Sequence, residues 1–191
     1  MRREGVLGAT MSAEPEDDEG DALRRWAEGD LGTCGLAAMV GATIARIERI
    51  HYVYQGETNT DTGDLQLTMH DGRVYWLRGA GNGETLQVRQ ARWEDPFAPP
   101  LSPENAEFVR LSGKHTLFHV SEQERLKPLI GQVIHAALPV RDEHGVLRGA
   151  HLLVNGQTLT FVIDCDDGWL LEEERMSEEF AAIGLHLDHT L

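Results

Sequence analysis

Alternating apolar and polar positions, interrupted by tight turn signals, govern most of this chain. Leu65 to His70 and Arg73 to Arg78 alternate on either side of Asp71-Gly72. Val146 to Val154 and Gln157 to Asp164 do so around Asn155-Gly156. Asp-Gly and Asn-Gly favour two-residue hairpins, because both central positions of a type I′ turn take φ > 0. Such a turn pairs Met69 with Val74 and Leu67 with Trp76. These four and Leu65 then share one face, with Gln66, Thr68, His70, Tyr75 and Leu77 on the other. The same rule pairs Leu152 with Leu159 and Ala150 with Phe161. Glu84 to Gln90 adds a strand with Leu86 and Val88 inward. Val133 to Val140 forms another, broken by Pro139, before a turn at Asp142 to Gly145. Trp169 to Leu171 follows a turn at Asp167-Gly168.

The two hairpin signals lie 84 residues apart, and the pairs Ile50-His51 and Ile134-His135 share that offset. A duplicated meander explains this. Yet at that offset Leu67 falls on His151 and Val74 on Thr158, so an apolar face maps onto a wetter one. A one-residue slip in register has that effect. A shifted repeat and a coincidence both stay open.

Other segments carry weaker signals. Ala22 to Glu28 fits a short helix with Leu23 and Trp26 on one face. The block Leu36 to Val40 is either a buried helical turn or a strand. Ile44 to Tyr54 is equally two-sided, its end favouring a strand through Tyr52, Val53 and Tyr54. Gln55 to Asp64 is polar and expected as a loop. Pro96, Pro99, Pro100 and Pro103 mark a long connection. Ser102 before Pro103 predicts a helix start, ending at Gly113. Lys114 to Val120 predicts a strand. Ser121 with Glu124 fits a capping box for a short helix. Ser177 is expected to cap a last helix stopped by Gly184.

The fold expected is α+β, mostly β: two successive antiparallel β-meanders with a few short helices. Residues 1–21 form an acidic, disordered tail, with Met1 or Met11 as the start. A first meander with an N-terminal helix spans 22–92. The Pro-rich connection and its helix span 93–113. A second meander with a C-terminal helix spans 114–191. The two meanders either stand apart or share one compact domain.

Charge sharpens the picture. The net charge of the 191 residues is −15. Residues 1–21 carry −5 and residues 164–191 carry −8, leaving a nearly balanced body. A phosphate backbone would be repelled, so no nucleic-acid partner is expected, whereas a basic protein would be attracted. Neither a secretory signal nor a membrane-spanning segment is expected from the sequence pattern. With Cys34 and Cys165 the only cysteines, a reducing cytoplasm is the expected compartment.

No motif dictates a chemistry. Gly79 to Gly83 is glycine-rich, but β-type sequence follows it where a nucleotide loop needs a helix. His115 and His119, on a strand, stand about 13 Å apart and cannot share an ion. Asp164, Asp166 and Asp167 cluster around Cys165 without the spacing of a calcium loop. No metal or cofactor is expected. Cys34 is the one candidate nucleophile, activated if a helix starts there and a histidine serves as base. Its alternative is a small buried apolar residue.

The leading expectation is a non-catalytic, acidic protein-binding module of inhibitor, immunity or adaptor type. Its contact residues would be Asp164, Asp166, Asp167, Glu172, Glu173, Glu174, Glu178 and Glu179. The alternatives are a cysteine hydrolase using Cys34 and a small-ligand binder using space between the meanders.

Overall fold

The computed structural model describes residues 31–189. The acidic tail and the helix expected over Ala22 to Glu28 lie outside the described residues. The chain is mostly β, with two antiparallel sheets and short helices, as the alternation pattern predicts.

Each half has the same topology. In the first, helix α1 (Gly32–Ala37) precedes strand β1 (Ile44–Tyr54). A side hairpin, β2 (Glu57–Thr58), leads to β3 (Asp64–Met69), β4 (Val74–Gly79) and β5 (Leu86–Arg89). Helix α2 (Pro103–Ser112) then carries the chain back to β6 (Lys114–His119), which pairs with the free side of β1. In the second half a 3-10 turn (Lys127–Leu129) precedes β7 (Ile134–Asp142), β8 (Leu147–Val154), β9 (Gln157–Asp164) and β10 (Asp167–Leu171). Helix α3 (Glu173–Ala182) leads to β11 (Leu185–Leu187), which pairs with the free side of β7.

A reciprocal set of hydrogen bonds joins the halves about a local two-fold axis. Gly41 N donates to Ile134 O and Gly131 N to Ile44 O, both at 2.8 Å. Ile44 N donates to Gln132 O and Ile134 N to Ala42 O, both at 2.9 Å. Thr43 and Val133 face each other at the axis. The sequence around them repeats: Leu36-x-x-Met39-Val40-Gly41-x-Thr43-Ile44 matches Leu126-x-x-Leu129-Ile130-Gly131-x-Val133-Ile134. Both glycines take positive φ, +82° and +78°, where a side chain is strained. Leu36, Met39, Leu126 and Leu129 are all buried in the shared core.

The first hairpin corrects the expected register. Leu67 faces Tyr75, Leu65 faces Leu77 and Gln66 faces Trp76. Gly72 N donates to Met69 O and Met69 N to Arg73 O, so three residues, His70 to Gly72, form the loop. Gly72 at φ +88° supplies the left-handed step of a type I turn closed by a G1 bulge. Tyr75 and Leu77 are therefore buried, and Trp76 stands on the outer face. The second hairpin keeps the two-residue turn, with Leu152 opposite Leu159 and Ala150 opposite Phe161. One extra loop residue in the first half is the slip that hid the repeat. Strand β3 matches β8 at an offset of 85, and β4 matches β9 at 84. Leu67 then falls on Leu152, and Tyr75 on Leu159.

Other expectations also change. Gln55-Gly56 forms a tight turn, with Tyr54 opposite Glu57. The β9–β10 turn is Cys165-Asp166, both at positive φ, while Asp167 and Gly168 lie in β10. Ser121 caps no α-helix; its hydroxyl accepts from Ile47 N and donates to Ile47 O. Glu172, not Ser177, occupies the N-cap of α3, so Ser177 sits inside the helix. Pro139 does not break its strand. It faces Ala150 beside a register shift, and its carbonyl accepts from Asp188 N beyond β11. A bulge and the end of a short neighbour are where a strand tolerates a missing donor.

The sheets share one hydrophobic core, with Ile44, Ile47, Leu65, Leu67 and Tyr75 packed in the same cluster as Ile134, Leu152 and Phe161. A smaller cluster under α3 joins Phe180 to Val140 and Val162 on the outer face of the second sheet.

Candidate functional site

The predicted acidic residues come from one continuous stretch of the second half. The β9–β10 turn carries Asp164, Asp166 and Asp167, and β10 runs directly into α3. Glu173 and Glu174 occupy the first helical turn, where the positive end of the helix favours carboxylates. Both lie in the helix, beyond the end of β10 at Leu171. Glu172, Glu174 and Glu178 are exposed. Among the described residues, Asp166, Asp167, Glu172, Glu173, Glu174 and Glu178 have no Lys, Arg or His within ion-pair distance. Two acids are engaged: Asp164 lies 3.6 Å from Arg148, and Glu179 pairs with Arg175 at 2.5 Å.

Asp164, Glu172 and Glu179 also border a cavity of about 570 Å³ at the seam between the halves. Arg49 from β1, Arg125 and Arg175 enter the same cavity. Arg49 is buried on the inner face of its strand. Its Nη2 donates to Gly63 O at 2.9 Å and Gly168 O at 3.0 Å, and its Nε to Asp64 O at 3.2 Å. Burial, with Asp64 opposing, lowers its pKa to about 10. Arg125 donates to the carbonyls of Leu170 and Leu171, fixing the chain before α3. The space between the meanders is otherwise filled by the core, which restricts the small-ligand reading to this seam and to the outer faces.

The outer face of the first sheet carries a second concave region, of about 640 Å³. Asp64, Trp76 and Arg78 form its floor, with Trp93 and Phe97 from the Pro-rich connection and Phe108 from α2 around it. Asp64 Oδ2 accepts from Trp76 Nε1 at 2.9 Å. Burial pushes the Asp64 carboxyl above its ordinary value, against Arg78 and the Trp76 bond. The Arg78 guanidinium lies 4.8 Å from the centre of the Trp76 ring.

The candidate nucleophile gains no support. The block after Cys34 is a helix, but it is six residues long and Cys34 is exposed on it. Among the described residues no histidine is hydrogen-bonded to Cys34. The Asp164 carboxylate beside Cys165 raises that thiol, the opposite of activation. His115 packs edge-on to Tyr52, and His119 Nδ1 lies 3.1 Å from the buried carboxylate of Glu48. The two histidines share strand β6, the strand expected over Lys114 to Val120. Among the described residues no three His, Cys, Asp or Glu side chains group as metal ligands.

Sequence reasoning missed Arg49, Asp64, Trp76, Trp93, Phe97 and Phe108. The aromatics of the connection were a usable signal: three large rings in and beside a Pro-rich stretch need a surface to rest on. The slip at the first hairpin hid Trp76, because it put that ring in the core.

No protein-family model, curated protein or solved structure matches the chain. The architecture itself defines the class: a two-sheet antiparallel β protein of two units related by a local two-fold. Among the described residues no helix is long and apolar enough to cross a membrane.

Proposed function

We propose that the chain is a non-catalytic binding module of inhibitor, immunity or adaptor type, whose acidic surface engages a basic partner protein. The supporting observation is the set of six acids from Asp166 to Glu178 that make no ion pair within 4 Å among the described residues, although Glu172 acts on Arg125 and Glu173 on His151 at longer range. A tight hairpin and the helix following it hold them. Carboxylates without a close cation on a fixed scaffold present a negative potential without rearrangement, which speeds encounter with Lys- and Arg-rich surfaces. The weak case for Cys34 favours binding over hydrolysis.

The reading is tested by pull-down from a lysate at low and moderate salt. A basic partner is retained at low salt and released as salt rises. Reversing Glu172, Glu173 and Glu174 to Lys weakens that capture at least about tenfold, an effect of roughly 1.4 kcal/mol. A partner indifferent to both salt and charge reversal overturns the proposal.

A further inference from the structure

We propose that the outer face of the first unit is a binding site for a small planar aromatic cation, a ring system bearing an ammonium or amidinium group, with Asp64 as its counter-charge. The local two-fold carries the argument, because it supplies an internal control. In the second unit the helix after the meander lies on the outer face of its sheet. Phe180 from α3 is only 7% exposed there, packed with Val140 and Val162. The corresponding helix of the first unit, α2, buries no residue, and its Phe108 is 51% exposed. Among the described residues, α3 packs onto its sheet, whereas α2 stands off and leaves the concave region, even though Glu48, Gln66 and Gln87 elsewhere on that outer face are buried.

The floors differ in the same sense. Asp64 faces Arg78 across β3 and β4, and Gly149 faces Val162 at the equivalent place in β8 and β9. Trp76 stands where the second unit has Thr160. In the second unit the floor is compact: His151 and Thr160 are hydrogen-bonded to each other at 2.7 Å, and a Cβ on Gly149 would come within 2.8 Å of the Val162 side chain. In the first unit the same positions carry a carboxylate, a guanidinium and an indole. Among the described residues, these large polar and aromatic side chains face a concave region walled by the Pro-rich connection and α2, where the second unit has a packed helix.

The walls are held in place. Trp93 N donates to Gln66 Oε1 at 2.7 Å, and Lys114 Nζ binds Asp95 Oδ2 at 2.6 Å. Phe97 and Phe108 stack at 5.4 Å with an interplanar angle of 18°. The volume falls within the roughly 300–1,000 Å³ of small-molecule sites, which are mostly apolar with a few placed polar groups. Charge selects the ligand's sign. Asp64, Glu94 and Asp166 border the site against Arg78, His115 and Lys114, of which Arg78 lies over Trp76 and Lys114 is paired with Asp95. Among the described residues no donor reaches Asp64 Oδ1. Arg78 against Trp76 shows that the aromatic wall accepts a planar cation.

The test is calorimetric titration of the full chain with 2-naphthylmethylammonium and with 2-naphthoate, the same ring with opposite charge. The expected result is binding of the amine at least tenfold tighter than the acid. Asp64→Asn, which keeps an oxygen for Trp76 Nε1, removes that preference. Trp93→Ala, on the covering segment, weakens the amine about tenfold and keeps the test open should Asp64→Asn not fold. No binding of the amine, equal binding of the acid, a preference that survives Asp64→Asn, or an affinity untouched by Trp93→Ala overturns the proposal. The Glu172 to Glu174 reversal leaves this binding unchanged, so the two proposals fail independently.

Discussion

Arg49 donates to the carbonyl of Gly168 at 3.0 Å across 119 residues of sequence, tying β1 of the first unit to β10 of the second. The same Nη2 reaches Gly63 O, and Gly63 N donates to Gly168 O at 2.9 Å. A charged donor shared among backbone acceptors at a seam is worth more than a neutral one. Arg49→Ala is expected to destabilise the chain by about 2–4 kcal/mol, since two or more charge-assisted bonds are lost and carbonyls are left unpaired. Urea unfolding measures it. An unchanged midpoint would show that the seam does not need this side chain.

The same seam predicts unequal costs for two glycines. A Cβ on Gly168 would lie 2.5 Å from Phe161 Cζ and 2.6 Å from Gly63 O. Gly168→Ala should therefore cost about 2–3 kcal/mol through overpacking. Gly145, at φ +79°, has open space where a methyl would go, with nothing within 4 Å, so Gly145→Ala carries only the left-handed strain of about 1 kcal/mol. Comparable losses at the two sites would contradict the close approach.

The hairpin register gives a sharper contrast. Tyr75 is fully buried, and its hydroxyl donates to Ala38 O at 3.1 Å, whereas neighbouring Trp76 is half-buried on the outer face. Tyr75→Ala is expected to cost about 3–5 kcal/mol, as large aromatic truncations in cores do. Trp76→Ala should cost clearly less. The reverse order in thermal unfolding would restore the two-residue turn.

The β9–β10 turn stores strain. Cys165 and Asp166 take φ of +50° and +72°, where asparagine or glycine is usual. Asp166→Gly is expected to raise stability by about 1 kcal/mol, because the left-handed cost of a side chain disappears. Its main-chain bond to Gly83 O at 2.8 Å is retained. A fall in melting temperature would mean that the carboxylate contributes more than the strain costs.

Two buried histidines set a pH dependence. His51 Nδ1 lies 2.7 Å from Thr62 O, and His151 Nδ1 lies 2.7 Å from Thr160 Oγ1. Burial lowers both pKa values, opposed by the Thr62 carbonyl for His51 and by Glu173 for His151. The unfolded chain then binds more protons than the folded one just below pH 6.5, so ∂ΔG/∂pH is positive there. Their contribution is full above about pH 6.5 and is lost as the pH falls through the folded values. Urea midpoints should drop between pH 7.5 and pH 5.5, and His51→Gln with His151→Gln should flatten the drop. Asp64, raised by burial, acts with the opposite sign.

The amino-acid sequence by itself determined the meanders, the Asn155-Gly156 turn with Leu152 opposite Leu159, and the start of α2 at Ser102. These features rest on neighbours a few residues apart: φ > 0 at a turn, alternation along a strand, a hydroxyl at a helix end. Tertiary structure alone decided the three-residue loop at Asp71-Gly72, because the burial of Tyr75 and Leu77 against the second sheet selects among turns that Asp-Gly permits. It also decided that Ser121 binds a strand instead of capping a helix, and that Pro139 survives inside one. The repeat lay in the sequence all along, from Leu36 to Ile44 and from Leu126 to Ile134. It became visible only when reciprocal hydrogen bonds placed Gly41 and Gly131 about one axis, since a symmetry relation is a property of packed halves and not of either one.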